Sequence, residues 1–185
     1  MTRSYCPRCA YPEKTCICHA IRETRYRTRI VVLQHPDEVR HAKNSARLVG
    51  LVNPGTELVV GETAEDFKVL RDRFDMDSRA VVLYPASGSA ALGDSVSVEP
   101  IETIIIIDGT WRKAKRMWLT NPWLHRLRVY HLNDVGSSVY SIRASSVSGG
   151  LASIEAAAHA LGVVEDTSTQ PLWDAFAAMQ ANWPD

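Results

Sequence analysis

A chain of 185 residues, 45% apolar and 23% charged, has the balance of one globular domain, which excludes a disordered or fibrous protein. Its formal net charge of zero excludes polyanion binding by bulk charge, so any nucleic-acid footprint has to come from local arrangement. No apolar run approaches the roughly 18 residues of a membrane span and the N-terminus lacks a signal-peptide core, so the expectation is a soluble cytoplasmic protein with no membrane partner.

Residues 1–29 show little hydrophobic periodicity and hold all four cysteines, Cys6, Cys9, Cys16 and Cys18, in a C-x2-C-x6-C-x-C spacing. Four thiols this close in a reducing compartment suit a tetrahedral zinc ion, and His19 is able to replace one of them. Arg3, Arg8, Lys14 and Arg22 would offset the negative charge of a four-thiolate site. The expectation is a small N-terminal zinc-binding module over 1–29 with a structural metal, followed by a catalytic domain over 30–185.

From Ile30 onward strands alternate with helical segments. Arg29–Leu33 reads as a strand stopped by His35-Pro36, and Asp37 as the cap of a helix over Glu38–Gly50. Glu57–Val60 is a second strand, Ala64–Arg73 a helix with Phe67, Leu70 and Phe74 on one side, and Ala80–Tyr84 a third strand. The Gly/Ser/Ala-rich stretch 86–97 reads as a loop. Thr103–Ile107 is a strand of near-continuous β-branched residues, buried on both faces. A helix over Trp111–Leu119, a strand over Leu127–Leu132, and helices over Leu151–Leu161 and Pro171–Asn182 complete the order. This alternation predicts an α/β fold with a mostly parallel sheet flanked by helices.

In open α/β sheets ligands bind just beyond the carboxyl ends of the strands. That is where Asp108-Gly109-Thr110-Trp111 falls, directly after Ile104–Ile107. The aspartate and threonine are also able to act simply as caps of the next helix. Trp111 and Trp118 lie seven apart and share a helix face, either as core residues or as a stacking surface. Arg112, Lys113, Lys115 and Arg116 give that helix a basic side suited to phosphates. Charge is uneven along the whole chain: residues 111–130 carry six Lys/Arg and no acid, whereas 151–185 carry five acids and no Lys/Arg.

The pattern resembles the DTW-domain family, the tRNA-uridine aminocarboxypropyltransferases, related to the knotted SPOUT methyltransferases. The residues that carry the resemblance are the cysteine cluster, Gln34-His35-Pro36-Asp37-Glu38 leading to Asn44–Leu48, Leu83-Tyr84-Pro85, Asp108–Trp111, Tyr140-Ser141-Ile142-Arg143 and Ser153-Ile154-Glu155-Ala156. They span roughly 4–162 in order. Two positions depart from the family pattern: Ala144 follows Arg143 where a basic or polar residue is usual, and Ser153 stands in place of a threonine.

The resemblance implies transfer of the 3-amino-3-carboxypropyl group from S-adenosyl-L-methionine to N3 of a uridine in tRNA, on a knotted SPOUT-like fold. It implies a co-substrate site built from Leu83, Tyr84, Pro85, Asp108, Gly109, Thr110, Trp111, Ile142, Arg143, Gly149, Leu151 and Ser153. Two roles stand open for Asp108, general base toward N3 and ligand of the co-substrate. Two also stand open for Arg143, a bidentate partner of the methionine carboxylate and an ion pair with Glu155. His35, Asn44, Arg112, Lys113, Lys115 and Arg116 are the expected RNA contacts. The alternatives are a methyl-transferring knotted enzyme using the same co-substrate and a non-catalytic zinc module that binds RNA.

Overall fold

The computed structural model describes residues 4–41, 43–94, 99–133, 135, 136, 138–141 and 150–183. Six strands form one sheet: β1 (Arg29–Gln34), β2 (Glu57–Val60), β3 (Ala80–Leu83), β4 (Ala90–Ala91), β5 (Thr103–Asp108) and β6 (Arg128–His131). Their order across the sheet is β2-β1-β5-β3-β6-β4, and every pairing is parallel. Among the described residues α1 (Ala46–Val52), α2 (Lys68–Phe74) and α3 (Trp111–Thr120) lie between strands, and α4 (Ser153–Glu165) and α5 (Gln170–Ala181) follow β6.

The strand residues explain the layering. Alternate side chains of a strand point to opposite faces. Ile30, Val32, Ile104, Ile106, Val81 and Leu83 meet α1, α4 and α5 through Leu48, Val49, Ile154, Leu161 and Phe176. Val31, Leu33, Ile105 and Val82 meet the other layer through Phe67, Leu70, Met117 and Leu124. Ile104 and Ile105 are both fully buried, on opposite sides, so β5 has no solvent face. Each such isoleucine contributes about 1.5–3 kcal/mol by burial.

The N-terminal segment is built into the first of these layers. Cys9, Tyr11, Ile17 and Ile21 belong to the same buried cluster as the strands and α5. Tyr11 donates its hydroxyl hydrogen to the carbonyl of Asn44 at 3.1 Å.

Three elements differ from the sequence expectation. The helix expected over Glu38–Gly50 is a 3-10 turn at Pro36–Glu38 followed, after a break, by α1. Asn44 makes the break, because its amide serves backbone groups that a continuous helix would use itself. Nδ2 donates to the carbonyl of Glu38 at 3.0 Å, and Oδ1 accepts from the N–H of Arg47 at 3.1 Å. The turn at Pro36–Glu38 is capped by His35, whose Nδ1 accepts from the N–H of Asp37, and not by Asp37 itself.

The second helix starts at Lys68 rather than Ala64, because Asp66 turns back to accept from the N–H groups of Glu62 and Thr63. The third difference lies within 86–97, where Ala90–Ala91 pair with Tyr130 and His131 as a short edge strand.

Candidate active site and metal centre

Asp108 ends β5, and its carboxylate is buried, 8% exposed. One oxygen accepts from Nε2 of Gln34 at 2.8 Å. The other accepts from the hydroxyl of Ser153, the first residue of α4. The backbone carbonyl of Asp108 accepts from the N–H of His35 at 2.9 Å. Two side-chain donors from two different elements therefore fix the direction of a negative charge at the strand end.

The turn that follows is tight. A Cβ on Gly109 would lie 3.1 Å from Cβ of Lys113 and 3.6 Å from Cβ of His35, so the approach of β1 to the start of α3 depends on a residue without a side chain. Thr110 caps α3, its Oγ1 accepting from the N–H of Lys113. Of the two capping candidates, the threonine takes the role.

A cleft opens at the carboxyl ends of β5, β3 and β6. The structure brings Leu83, Tyr84, Pro85, Gly109, Trp111, Leu151 and Ser153 together on its walls. Asp108 sits immediately behind, reaching the wall through the hydroxyl of Ser153. Ile142, Arg143 and Gly149 lie outside the described residues. His131, Leu132 and Val135 also line the cleft and were missed by sequence reasoning. The available signal was positional, since His131 is the polar residue that ends a strand.

Trp111 and Trp118 are half-buried and not core residues; α3 buries Ala114 and Met117 instead. Tyr84 stacks on Trp118 with centroids 4.8 Å apart, and Trp118 in turn meets His125 at 4.1 Å. The aromatic run leads from the cleft wall to the surface.

The basic residues of α3 divide into two pairs. Lys113 is held by Glu38 at 3.1 Å and Asp37 at 3.2 Å. Burial pulls the Lys113 ammonium pKa down, but those two carboxylates outweigh it and leave the value raised. Arg116 pairs with Glu62 at 2.8 Å. Arg112 and Lys115 are exposed and have no acidic partner among the described residues.

His35 is buried, with Nε2 3.8 Å from Glu62. Asn44, 4% exposed, spends its amide on Glu38, Arg47 and Gln34. Both are buried and engaged with protein groups.

Cys6, Cys9, Cys16 and Cys18 place their sulfurs within 4.8 Å of one another. Cys6 and Cys18 are 3.6 Å apart, Cys9 and Cys16 3.8 Å. A tetrahedral zinc with bonds of about 2.3 Å needs sulfurs roughly 3.8 Å apart, so the donor set fits the ion. Backbone N–H groups of Cys9 and Arg8 bring the Cys6 thiol down to about 6, preparing it as thiolate. Burial, then the neighbouring thiols of Cys16, Cys6 and Cys9, push Cys18 up to about 12. A cation at the centre would favour the thiolate form that burial disfavours. His19 is exposed and stands outside this four-cysteine group.

The DTW domain model matches residues 3–183. A Drosophila melanogaster protein named tRNA-uridine aminocarboxypropyltransferase 2 is 34% identical over 171 residues, covering 88% of this chain and 67% of its own length. Proteins of the same name from Mus musculus and Macaca fascicularis are 29% and 30% identical over the same length of alignment. This chain spans only 57% of those two mammalian relatives. No solved structure matches it. On a family model that covers nearly every residue, the chain belongs to the DTW-domain family.

Proposed function

We propose that this protein transfers the 3-amino-3-carboxypropyl group of S-adenosyl-L-methionine to N3 of a tRNA uridine. The observation that carries the reading is a cleft at three strand ends with a fixed, buried carboxylate behind its wall, in a chain whose relatives are named tRNA-uridine aminocarboxypropyltransferase 2.

The sulfonium of the co-substrate makes each attached carbon electrophilic, so the protein's task is to choose one. Positioning does this by holding the first carbon of the carboxypropyl chain in line with N3. The N3–C bond forms as the C–S bond breaks, its electron pair stays on sulfur, and neutral methylthioadenosine leaves. The proton of N3 has to go elsewhere. Asp108 is the proposed acceptor, since Gln34 and Ser153 already hold it in one orientation at the strand end. Arg143 and Gly149 are proposed to complete the co-substrate site.

For the RNA, Arg112 and Lys115, which have no acidic partner among the described residues, are the proposed phosphate contacts, with Trp111 beside them for the target base. Lys113 and Arg116 would have to release Glu38, Asp37 and Glu62 first. The four-cysteine cluster is proposed to bind one structural zinc in an N-terminal module over 1–29, ahead of a catalytic domain over 30–185. A knotted SPOUT-like arrangement of that domain and a cytoplasmic location belong to the same proposal. The structural support for that fold is the wholly parallel sheet with its strand ends converging on the cleft. No helix among the described residues is long and apolar enough to cross a membrane.

The test uses unmodified tRNA and two S-adenosylmethionines, one labelled in the methyl group and one in the carboxypropyl chain. Entry of the chain label into RNA is the expected result. Entry of the methyl label alone would make the protein a methyltransferase, and entry of neither would leave a binding module.

A further inference from the structure

His131 ends β6 and lines the cleft, yet nothing in the transfer chemistry above uses it. Its tautomer follows from its neighbour. The hydroxyl of Ser89 lies 2.8 Å from the carbonyl oxygen of Ala86, which is only able to accept, so the single hydroxyl hydrogen is committed there. Nδ1 of His131 lies 2.9 Å from the same hydroxyl oxygen and therefore donates to it. In the neutral ring this leaves Nε2 as a bare acceptor, and Nε2 has no protein partner among the described residues. The backbone that carries the ring is fixed as well: Ala91 pairs with His131, and the N–H of Leu92 donates to the His131 carbonyl at 2.8 Å.

The surroundings decide what such an acceptor meets. Leu83, Ile106, Leu132, Val135, Leu151 and Ala156 give the cleft apolar walls. A flat ring fits such walls, with one polar edge reserved for the lone acceptor.

Position in the sheet separates this acceptor from the reacting end. Ile106 of β5 pairs with Leu83 of β3, and Leu83 with Tyr130 of β6, so Asp108 and His131 both lie just past one register row. Two strand spacings put them about 10 Å apart. A ligand whose amino-acid tail reaches the Asp108 end would thus present its nucleobase to His131.

We propose that Nε2 of His131 reads the nucleobase of the co-substrate by accepting from the exocyclic amine of adenine. The inference rests on the reading of the cleft as the co-substrate site. A hypoxanthine ring carries a carbonyl where adenine carries its amine, and would set acceptor against acceptor. His131 is then a specificity-determining residue, with Ser89 as the positioning residue that fixes its tautomer.

Calorimetry on the full chain with methylthioadenosine and methylthioinosine tests this. The wild-type protein is expected to prefer the adenine compound by about tenfold or more, the scale of one desolvated hydrogen bond. His131→Phe should keep its melting temperature and lose that preference to within about twofold. Ser89→Ala, which leaves the imidazole in place but frees its Nδ1, should lose part of it, and serves if His131→Phe does not fold. Undiminished preference in either folded variant overturns the proposal. So does a His131→Phe protein that keeps the preference and loses turnover, since that ring would be acting on the reacting proton. A wild-type protein that binds neither nucleoside would instead overturn the assignment of the cleft.

Discussion

The hydroxyl of Ser153 donates to the carboxylate of Asp108, joining the first turn of α4 to the end of β5 across 45 residues of sequence. The contact makes the start of α4 part of the site. Glu155, in the same first turn and fully buried, accepts from the N–H of Val139 at 2.8 Å and from the hydroxyl of Ser138 at 2.6 Å. Ser138 and Val139 are thereby tied to the same helix end.

Asp108→Asn should fold and bind the co-substrate, because an amide still accepts from Ser153. Turnover is expected to fall by about 10²–10⁴-fold, the usual contribution of a general base. Transfer of the carboxypropyl label, measured beside a melting curve, checks it; near-normal turnover would remove the proton-acceptor role.

Gln34→Leu takes away the donor that Asp108 and Asn44 share, at 2.8 and 3.4 Å. Leaving two buried acceptors short of a donor should cost about 1–3 kcal/mol of stability. Urea denaturation measures that cost, and a fall in turnover without a matching rise in KM for the co-substrate would show that the amide orients Asp108.

Arg112→Ala with Lys115→Ala should weaken tRNA binding and lower the slope of log affinity against log salt by about 2. Lys113→Ala should change that slope little, because its ammonium is already held by Glu38 and Asp37. Filter binding over a salt series separates the two outcomes. Equal effects would mean that the acidic partners let go when RNA arrives.

Chelation should release about one zinc per chain and lower the melting temperature of the whole domain, since Cys9, Tyr11 and Ile17 belong to the main buried cluster. Metal analysis and calorimetry report both. Complete alkylation of all four thiols in the native protein without loss of metal would exclude the site.

Burial lowers the pKa of His159, against an opposing effect of Glu155, and its ring packs edge-on to Trp173 at 5.1 Å. The unfolded chain then binds this proton more tightly than the folded one. Its contribution to stability is present above the ordinary value of 6.5 and is lost as pH falls through the lowered folded value. His159→Gln should flatten the stability profile in that window, read by denaturation at several pH values.

Much of the fold is written in local pattern. A run such as Ile104–Ile107 has no polar residue with which to face water, so it must lie inside a covered sheet, and the cysteine spacing places four sulfurs together over a few turns of chain. Asp108 and Gly109 mark the ligand end because a strand stops there. These signals depend on near neighbours, and one chain suffices to read them.

Tertiary structure alone decided the rest. That Gln34 and Ser153 both reach Asp108 depends on β1 lying beside β5 and on where α4 begins, and no spacing in the sequence encodes either. The same holds for the division of the α3 cations: Arg112 and Lys113 are adjacent and alike, but only Lys113 meets Glu38 and Asp37 once β1 is packed alongside. His131 becomes an acceptor only when the edge strand brings Ser89 against it. Hydrogen bonds and ion pairs reach only about 3 Å, so which groups share one is settled by the packing of distant segments.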